Sequence, residues 1–476
     1  MFYWSGNGAC LTPQPAWTAS PPPAPFGTAP GSPERGTGSP FLMAFAGLMV
    51  VTLVGRLFDY VLVGLHLPML ICGMVLVAGL LGGGVAALKS RPGILQLAFI
   101  VWMGVSTVFS SWKGGSAEYL VRFTFFSLTW LPLAAGPRSV RETGRLAFLV
   151  GLAGLLLLVF TSGTYAVELG AAMRATDRLG LEAGAYRNPA DVGLIAGFAI
   201  PLCWLLPVRG RALRAALGLS ATVFLLRTMA LTGSRAALLG AGAMLAVLIL
   251  RTPGLQRLAL LVAAGLGAIV LAVTLPAHTL QRLGTTLDAF SGVSREAALT
   301  DEALLSALER REVLLDSLKI TATHPVFGVG PGQFAEYRWK GARLEGIRKS
   351  YLVTHNSFTQ VSSESGIPGM LLYVAFLAAI HRTLRIARGL NAPDAHPDWR
   401  LGRALAICLE LSLVCFVVQA AFMSVPGYIF QFVIAGLALA LERTSRLAAA
   451  PATPAATASW ASTLAAGSRP AAPRPA

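Results

Sequence analysis

The sequence has little charge and few of the residues that build metal sites or disulfide frameworks. Only 13% of its 476 residues are charged, whereas soluble domains carry roughly 25%. It has five cysteines and no Cys-x-x-Cys pair or cluster of histidine with cysteine. We therefore expect no disulfide framework, no metal site and no cofactor. Four of the cysteines lie inside apolar runs, where a thiol acts as a small apolar filler: Cys72, Cys203, Cys408 and Cys415.

Apolar residues are abundant instead. The chain is 55% hydrophobic with a mean hydropathy of +0.65, and its apolar blocks of about 18–25 residues match a hydrocarbon layer of ~30 Å. This pattern excludes a soluble enzyme and predicts an all-α polytopic membrane protein with about 12 transmembrane helices. The predicted segments are 41–63, 67–88, 94–112, 117–135, 146–162, 191–207, 212–231, 234–250, 257–275, 356–380, 403–422 and 427–442.

Basic residues exceed acidic ones and give a formal net charge of +16. They do not form one patch, so nucleic acid is not an expected partner. Arginine and lysine instead follow the even-numbered segments, as Arg138, Arg141 and Arg145 follow the fourth. Because cytoplasmic loops carry an excess of these residues, we predict that these loops and both termini are cytoplasmic and that the larger loops face outward.

The chain divides into two tails, two groups of helices and one large loop. Residues 1–40 and 447–476 are rich in proline and small residues and are predicted to be disordered cytoplasmic tails. Residues 41–275 hold helices 1–9, and residues 356–442 hold helices 10–12. The periplasmic loop domain between helices 9 and 10, residues 276–355, is too long to be a simple connector. We expect it to fold as a small cap on the outer surface of the membrane.

A helix is predicted inside this loop at residues 301–320. Leucine and valine recur there at helical spacing, and no proline or glycine interrupts them. The pair His324–Pro325 is expected to end the helix, and the glycine-rich stretch 328–332 is expected to form a turn.

Four arginines on the outer side are candidates for anion binding. Arg235 opens the eighth segment in TGSRAALLG. An arginine that faced lipid there would cost a few kcal/mol, so we expect a cavity or an anion beside it. The alternative is an arginine side chain that snorkels to water at the helix end. Arg187 precedes an Asn-Pro pair that is typical of a helix start. A helix N-terminus beside an arginine can bind an anion, and an ordinary helix cap is the alternative. Arg310 and Arg311 lie in the loop helix, where a solvated charge run is the simpler interpretation.

His355 is the candidate proton acceptor, where the loop meets the tenth segment. A neutral imidazole there can take a proton from an attacking hydroxyl; capping of the helix is the alternative. Glu364 follows nine residues later, on the opposite face of a straight helix. The two share a site only if the helix bends, and the residues that favour a break, Gly366 and Pro368, come after Glu364. We therefore expect Glu364 to be an orienting or structural residue.

The stretch HNSFTQVSSESGIPGMLLYV, residues 355–374, resembles the signature of the O-antigen ligase and polymerase superfamily. That signature is His-Asn, a short gap, and Glu-x-Gly-x-x-Gly at the start of a membrane helix. The stretch RREVLLDSLKITATHPVFGVGPGQF is similar to the family's arginine-led loop helix and turn, with Arg310 in the best register. TGSRAALLG and AYRNPADVG also resemble family segments, so the likeness covers roughly 180–375. The sequence departs from the family at Leu314, often tryptophan, and Thr359, commonly leucine.

The resemblance implies a membrane glycosyltransferase of the GT-C type in the bacterial inner membrane. It implies a metal-independent, inverting transfer of glycan from undecaprenyl diphosphate to an acceptor hydroxyl at the periplasmic face, with arginines on the diphosphate. The implied partners are undecaprenyl-diphosphate-linked glycan, a glycan or lipid A-core acceptor, and membrane lipids. The implied catalytic residues are His355, Arg235 and Arg310, and the implied substrate-binding residues are Arg187, Arg311, Asn356 and Glu364.

Other functions remain open at this stage. A ligase moves polymerised glycan to lipid A-core or another acceptor, a polymerase extends lipid-linked repeats, and a protein O-glycosyltransferase is a third variant of the same chemistry. The alternative of another class is a polysaccharide transporter or flippase, with intramembrane charges along a path. Transport is not favoured, because carboxylates are few and no pair of broken helices recurs in two halves.

Overall fold

The structure, a computed structural model, describes residues 39–56, 67–172, 179, 188–274, 302–344 and 351–450. Regular structure in this part of the chain is helical throughout, without strands. The prediction of an all-α protein is therefore confirmed. The predicted tails lie almost entirely outside the described residues.

The helices are numbered in chain order. They are α1 (Pro40–Met49), α2 (Leu67–Gly79), α3 (Val85–Leu88), α4 (Arg91–Val108), α5 (Lys113–Ser127), α6 (Leu131–Ala135), α7 (Val140–Ala172), α8 (Pro189–Cys203), α9 (Arg211–Leu231), α10 (Arg235–Arg251), α11 (Gly254–Thr274), α12 (Glu302–Thr323), α13 (Phe334–Leu344), α14 (Ser357–Leu390), α15 (Trp399–Ala420) and α16 (Ile429–Ala449). Wider π-helical turns follow α1 (Val50–Val54) and join α2 to α3 (Leu80–Gly84).

Six described helices are long and apolar enough to cross a membrane, which makes this an integral membrane protein. They are Leu67–Leu88, Arg91–Val108, Val140–Phe160, Arg211–Leu231, Ser357–Leu390 and Trp399–Ala420. Each of the twelve predicted segments overlaps a described helix. Twelve crossings remain a prediction.

The fourth predicted segment is divided by a turn. Residues 117–135 were expected to form one helix, but α5 ends at Ser127 and α6 begins at Leu131. In a continuous helix the backbone nitrogen of Pro132 would have to donate to the carbonyl of Leu128, and proline has no N–H. The chain turns at 128–130 instead, and the helical prediction was wrong at that point.

Helix α8 lies at the centre of the bundle. All its residues from Ala190 to Cys203 are buried, as expected of a helix that is apolar on every side. Its glycines allow close approach to its neighbours, because a Cβ at Gly197 would lie 2.6 Å from Cys415 Sγ in α15. A Cβ at Gly193 would likewise lie 2.6 Å from Ala237 Cβ in α10, so the N-terminal turns of α8 and α10 lie side by side.

Helix α14 is broken at Gly366, which has φ 73° and ψ 177°. The break leaves backbone groups of α14 without helical partners, and the turn at residues 325–332 supplies them. The resulting hydrogen bonds run from Val329 N–H to Ser363 O (2.9 Å), from Gly330 N–H to Glu364 O (2.9 Å) and from Ile367 N–H to Pro325 O (2.8 Å). The turn is thereby fastened to α14.

Helices α12 and α13, with the turn between them, form most of the described part of the loop domain. The predicted helix at 301–320 is observed at Glu302–Thr323 and ends immediately before His324–Pro325, as expected. The two helices share a small apolar core that includes Val313 and Phe334. Beside that core, buried Arg338 forms ion pairs with Glu312 (3.1 Å) and Asp316 (2.6 Å), so the contact between the helices is both apolar and ionic.

Candidate functional site

A cavity of about 110 Å³ lies where the N-termini of α8 and α10 meet the segment before α14. The loop between α15 and α16 closes one side, and α12 contributes one arginine. Polar side chains of its lining include Asn188, Ser234, Arg235, Arg310, His355, Ser424 and Tyr428. The cavity therefore brings together the three residues predicted as catalytic.

The start of α10 positions Arg235. Gly233 has φ 58°, a left-handed conformation that glycine adopts without penalty. Ser234 then caps the helix and accepts a hydrogen bond from Ala237 N–H at 3.4 Å. Arg235 follows as the first helical residue, half-buried at the cavity wall, so its positive charge adds to that of the helix terminus.

The start of α8 forms a second wall. Asn188 caps this helix by accepting from Ala190 N–H at 3.0 Å, and Pro189 holds the first helical position, as predicted. Asp191 in the first turn is buried and accepts a hydrogen bond from the Tyr428 hydroxyl at 3.0 Å. Arg187 lies outside the described residues, next to Asn188 in the chain.

The structure separates the two loop arginines. Arg310 is half-buried and lines the cavity, whereas Arg311 is exposed and lies outside it. Successive residues of a helix point about 100° apart, so only one of two neighbours can face a given wall.

His355 is held by hydroxyl groups from two segments. Its φ is 53°, and its backbone N–H donates to Ser424 Oγ at 3.0 Å. Thr354 Oγ1 lies 3.0 Å from the same oxygen. Ser357 Oγ donates to Met423 O at 2.6 Å and accepts from Val425 N–H at 2.9 Å. These contacts fix the backbone of His355 against the loop between α15 and α16.

The imidazole of His355 is neutral at pH 7. Burial lowers its pKa, and the positive charge of Arg310 lowers it further, to about 4. A neutral imidazole has a ring nitrogen with a free lone pair, so His355 can accept a proton near neutral pH.

Asn356 and Glu364 have structural contacts. The side-chain oxygen of Asn356 caps α14 by accepting from Phe358 N–H (2.9 Å) and Thr359 N–H (3.0 Å). Glu364 is buried, does not line the cavity, and accepts from Gly332 N–H at 2.9 Å. Both residues hold backbone that surrounds the site, and neither lines the cavity, so substrate binding by Asn356 and Glu364 stays a prediction.

Sequence reasoning missed Ser424, Thr354 and Tyr428. All three are uncharged, and their partners lie far away in the chain, 69 residues apart for His355 and Ser424. The stretch after α15 carries a Pro-Gly pair, which indicates a turn but does not connect it to His355. No motif could have assigned these residues to the site.

The arrangement can bind an anion beside a proton acceptor. Two guanidinium groups and two helix N-termini supply positive charge and N–H donors, and His355 supplies a base. Within the part of the chain that the structure describes, no group of three or more His, Cys, Asp or Glu side chains is placed to hold a metal ion.

Comparison with known proteins identifies one matching region. Residues 220–374 match the family model described as O-antigen ligase. That range includes Arg235, Arg310 and His355, and it ends within α14. A search of curated proteins finds no match to the chain.

Proposed function

We propose that this chain, whose residues 220–374 match the O-antigen ligase family model, is a metal-independent, inverting glycosyltransferase of the O-antigen ligase and polymerase superfamily. Its donor is glycan linked to undecaprenyl diphosphate, and its acceptor is a hydroxyl of lipid A-core or a similar glycan. The reaction takes place at the periplasmic face of the inner membrane, and both termini of the chain are cytoplasmic.

One observation carries this proposal: Arg235, Arg310 and His355 line the same cavity. A diphosphate leaving group concentrates negative charge, and guanidinium groups bind it through paired hydrogen bonds without losing their own charge. The N-termini of α8 and α10 add donors for the same anion. Arg187, which precedes the α8 cap, is proposed as a further ligand.

The proposed reaction is a single displacement. The acceptor oxygen attacks the anomeric carbon and forms the new glycosidic bond while the bond from that carbon to the phosphate oxygen breaks. The electron pair of the broken bond stays on the diphosphate, whose charge Arg235 and Arg310 stabilise. The hydroxyl proton passes to the ring nitrogen of His355.

The acceptor distinguishes a ligase from a polymerase. Both reactions use the same donor diphosphate, and a polymerase takes a second lipid-linked glycan where a ligase takes lipid A-core. We propose the ligase reaction. An assay that offers both acceptors to the purified protein decides between them.

The first test is His355→Ala in that transfer assay, with purified protein in nanodiscs and lipid-linked donor. Loss of the proton acceptor is expected to lower kcat by about 100-fold or more, while donor binding through the arginines persists. Normal expression and an unchanged melting temperature serve as controls. A variant with full transfer activity would contradict the catalytic role of His355, whereas absence of transfer by the wild-type protein would favour a non-enzymatic function.

The pH dependence gives a second measurement on the same residue. Because the pKa of His355 is about 4, its basic form persists throughout the range above that value. The value of kcat/KM, which reports the free enzyme, is therefore expected to stay level from about pH 8 to 5 and to fall as the pH drops through about 4. A fall centred near the ordinary histidine pKa of about 6.5 that persists in Asp191→Asn, which removes the carboxyl group of the same cavity, would contradict this environment.

A further inference from the structure

A second and larger cavity lies in the loop domain, outside the site described above. It is a groove of about 500 Å³ between α12 and α13, within the usual size range of ligand sites, about 300–1,000 Å³. Polar side chains from both helices form its walls: Asp316, Lys319 and Thr323 from α12, and Glu336, Tyr337 and Lys340 from α13.

Part of the polar lining of the groove is held in place before any ligand arrives. Asp316 is paired with Arg338, whose side chain is only 5% exposed (N to O 2.6 Å), and Glu336 is paired with Lys340 (3.0 Å). The ring of Tyr337 packs edge-on against His324. Side chains already fixed in this way lose little conformational freedom when a ligand binds.

The chemistry of the walls fits sugar hydroxyl groups. A hydroxyl both donates and accepts, and the groove offers carboxylate acceptors beside ammonium and guanidinium donors. Charges of both signs are present among these groups. Trp112 stands beside the groove, 54% exposed, with the Lys340 ammonium 6.0 Å from its ring, and offers an apolar face to a sugar ring.

Helix α12 contributes to both the groove and the cavity that is lined by Arg235, Arg310 and His355. Arg310 faces the cavity, and Asp316 follows it by six residues, about 9 Å further along α12 and about 240° around its axis. The groove therefore begins on another face of the same helix, a few sugar units from the diphosphate. We infer that it binds the sugar chain of the lipid-linked donor, an inference that rests on the proposed function.

The test fills the groove and compares two donors. An added Cβ at Gly341, which lines the groove, meets no atom within 4 Å, so Gly341→Trp places a ring there without a backbone clash. The donors are undecaprenyl-diphosphate-linked monosaccharide and the same carrier with several repeats. Gly389→Trp, at a glycine of α14 that is equally open and outside the groove, is the matched control.

In Gly341→Trp, the ratio of KM for the long donor to KM for the monosaccharide donor is expected to rise about tenfold, equivalent to about 1.4 kcal/mol. In Gly389→Trp the ratio stays at the wild-type value. An unchanged ratio in Gly341→Trp overturns the inference, and so does a rise confined to the KM of the acceptor.

A binding measurement separates this inference from the proposed function. Free glycan, released from the long donor by mild acid, is titrated into wild-type protein, His355→Ala and Gly341→Trp in nanodiscs. Wild-type protein and His355→Ala are expected to bind it equally, and Gly341→Trp about tenfold more weakly, again about 1.4 kcal/mol. Glycan binding without any transfer would defeat the proposed function alone, whereas absence of binding to wild-type protein would defeat the groove.

Discussion

At the scale of single residues, helix phase determines which of two neighbouring arginines reaches the cavity. Arg310 and Arg311 have the same side chain, and the motif left a register uncertainty of one position. The structure places Arg310 at the cavity beside His355 and leaves Arg311 exposed. Local pattern could not make this choice, because it depends on how α12 is rotated against α14.

This difference gives a prediction with a built-in control. Arg310→Ala is expected to weaken donor binding by about tenfold or more, because a charge-assisted hydrogen bond to phosphate is lost. Arg311→Ala is expected to leave the dissociation constant within about twofold, as for an exposed charge. Titration of lipid-linked donor into both variants measures the difference, and equal losses would contradict the proposed role of Arg310.

The sequence predicted the charged side of the site better than its supporting hydroxyls. His355 and Arg235 stand in recognisable motifs, and both line the cavity. Ser424 and Thr354 support His355 through contacts across 69 and 70 residues of chain. A serine or threonine in a loop is ordinary in any sequence, so only the folded chain reveals these contacts.

At the scale of elements, the break in α14 connects the loop domain to the bundle. Composition indicated that Gly366 and Pro368 favour a break, and the break is observed at Gly366. The turn that fills it, residues 325–332, comes more than thirty residues earlier in the chain. Trp102 of α4 contacts both parts, because its ring N–H donates to Ser365 O of α14 at 2.7 Å and its ring stacks on Phe327 of the turn at 5.7 Å. No pairing rule in the sequence predicts these partners.

Gly366→Ala tests the break. The conformation at Gly366 is essentially restricted to glycine and costs roughly 1–3 kcal/mol for another residue, and an added Cβ would lie 1.9 Å from Val326 O. The variant is expected to unfold at a lower temperature in detergent, as measured by tryptophan fluorescence. Gly389→Ala in the same helix, where the added carbon meets nothing, should equal or slightly exceed wild type. Equal melting temperatures in the two variants would contradict a strained, essential break.

At the scale of the whole molecule, the positions of the basic residues predict how the chain is oriented in the membrane, and the long apolar helices are the candidates for crossing it. Six described helices are long and apolar enough to span a membrane, and the basic residues lie in alternate loops. At the end opposite the site, buried Glu410 pairs with Arg251 of α10 and with Arg388 of α14 at 2.8 Å. Glu410, within the predicted segment 403–422, therefore joins α15 to α10 and α14 through arginines that lie beyond the ends of their predicted segments, as expected from the cost of leaving a carboxylate unpaired in a membrane.

Orientation can be tested with single cysteines in a variant without the native ones. Arg343→Cys in α13 is exposed and, on the proposed topology, reacts with a membrane-impermeant maleimide on spheroplasts. Lys89→Cys, exposed in a loop predicted to be cytoplasmic, reacts only after the membrane is permeabilised. The reverse pattern would place the cavity in the cytoplasm and would rule out transfer at the periplasmic face.

The attachment of the turn at residues 325–332 also has a mechanical consequence. That turn secures the C-terminal end of α12, and Thr321 Oγ1 lies 2.8 Å from Ser362 Oγ near the same end. Arg310 precedes Thr323 by thirteen residues, an arm of about 20 Å along the helix. Pivoting α12 by about 3° about this attachment would move the Arg310 guanidinium by about 1 Å. The distance between Arg235 and Arg310 therefore depends on how firmly the break at Gly366 holds the C-terminal end of α12.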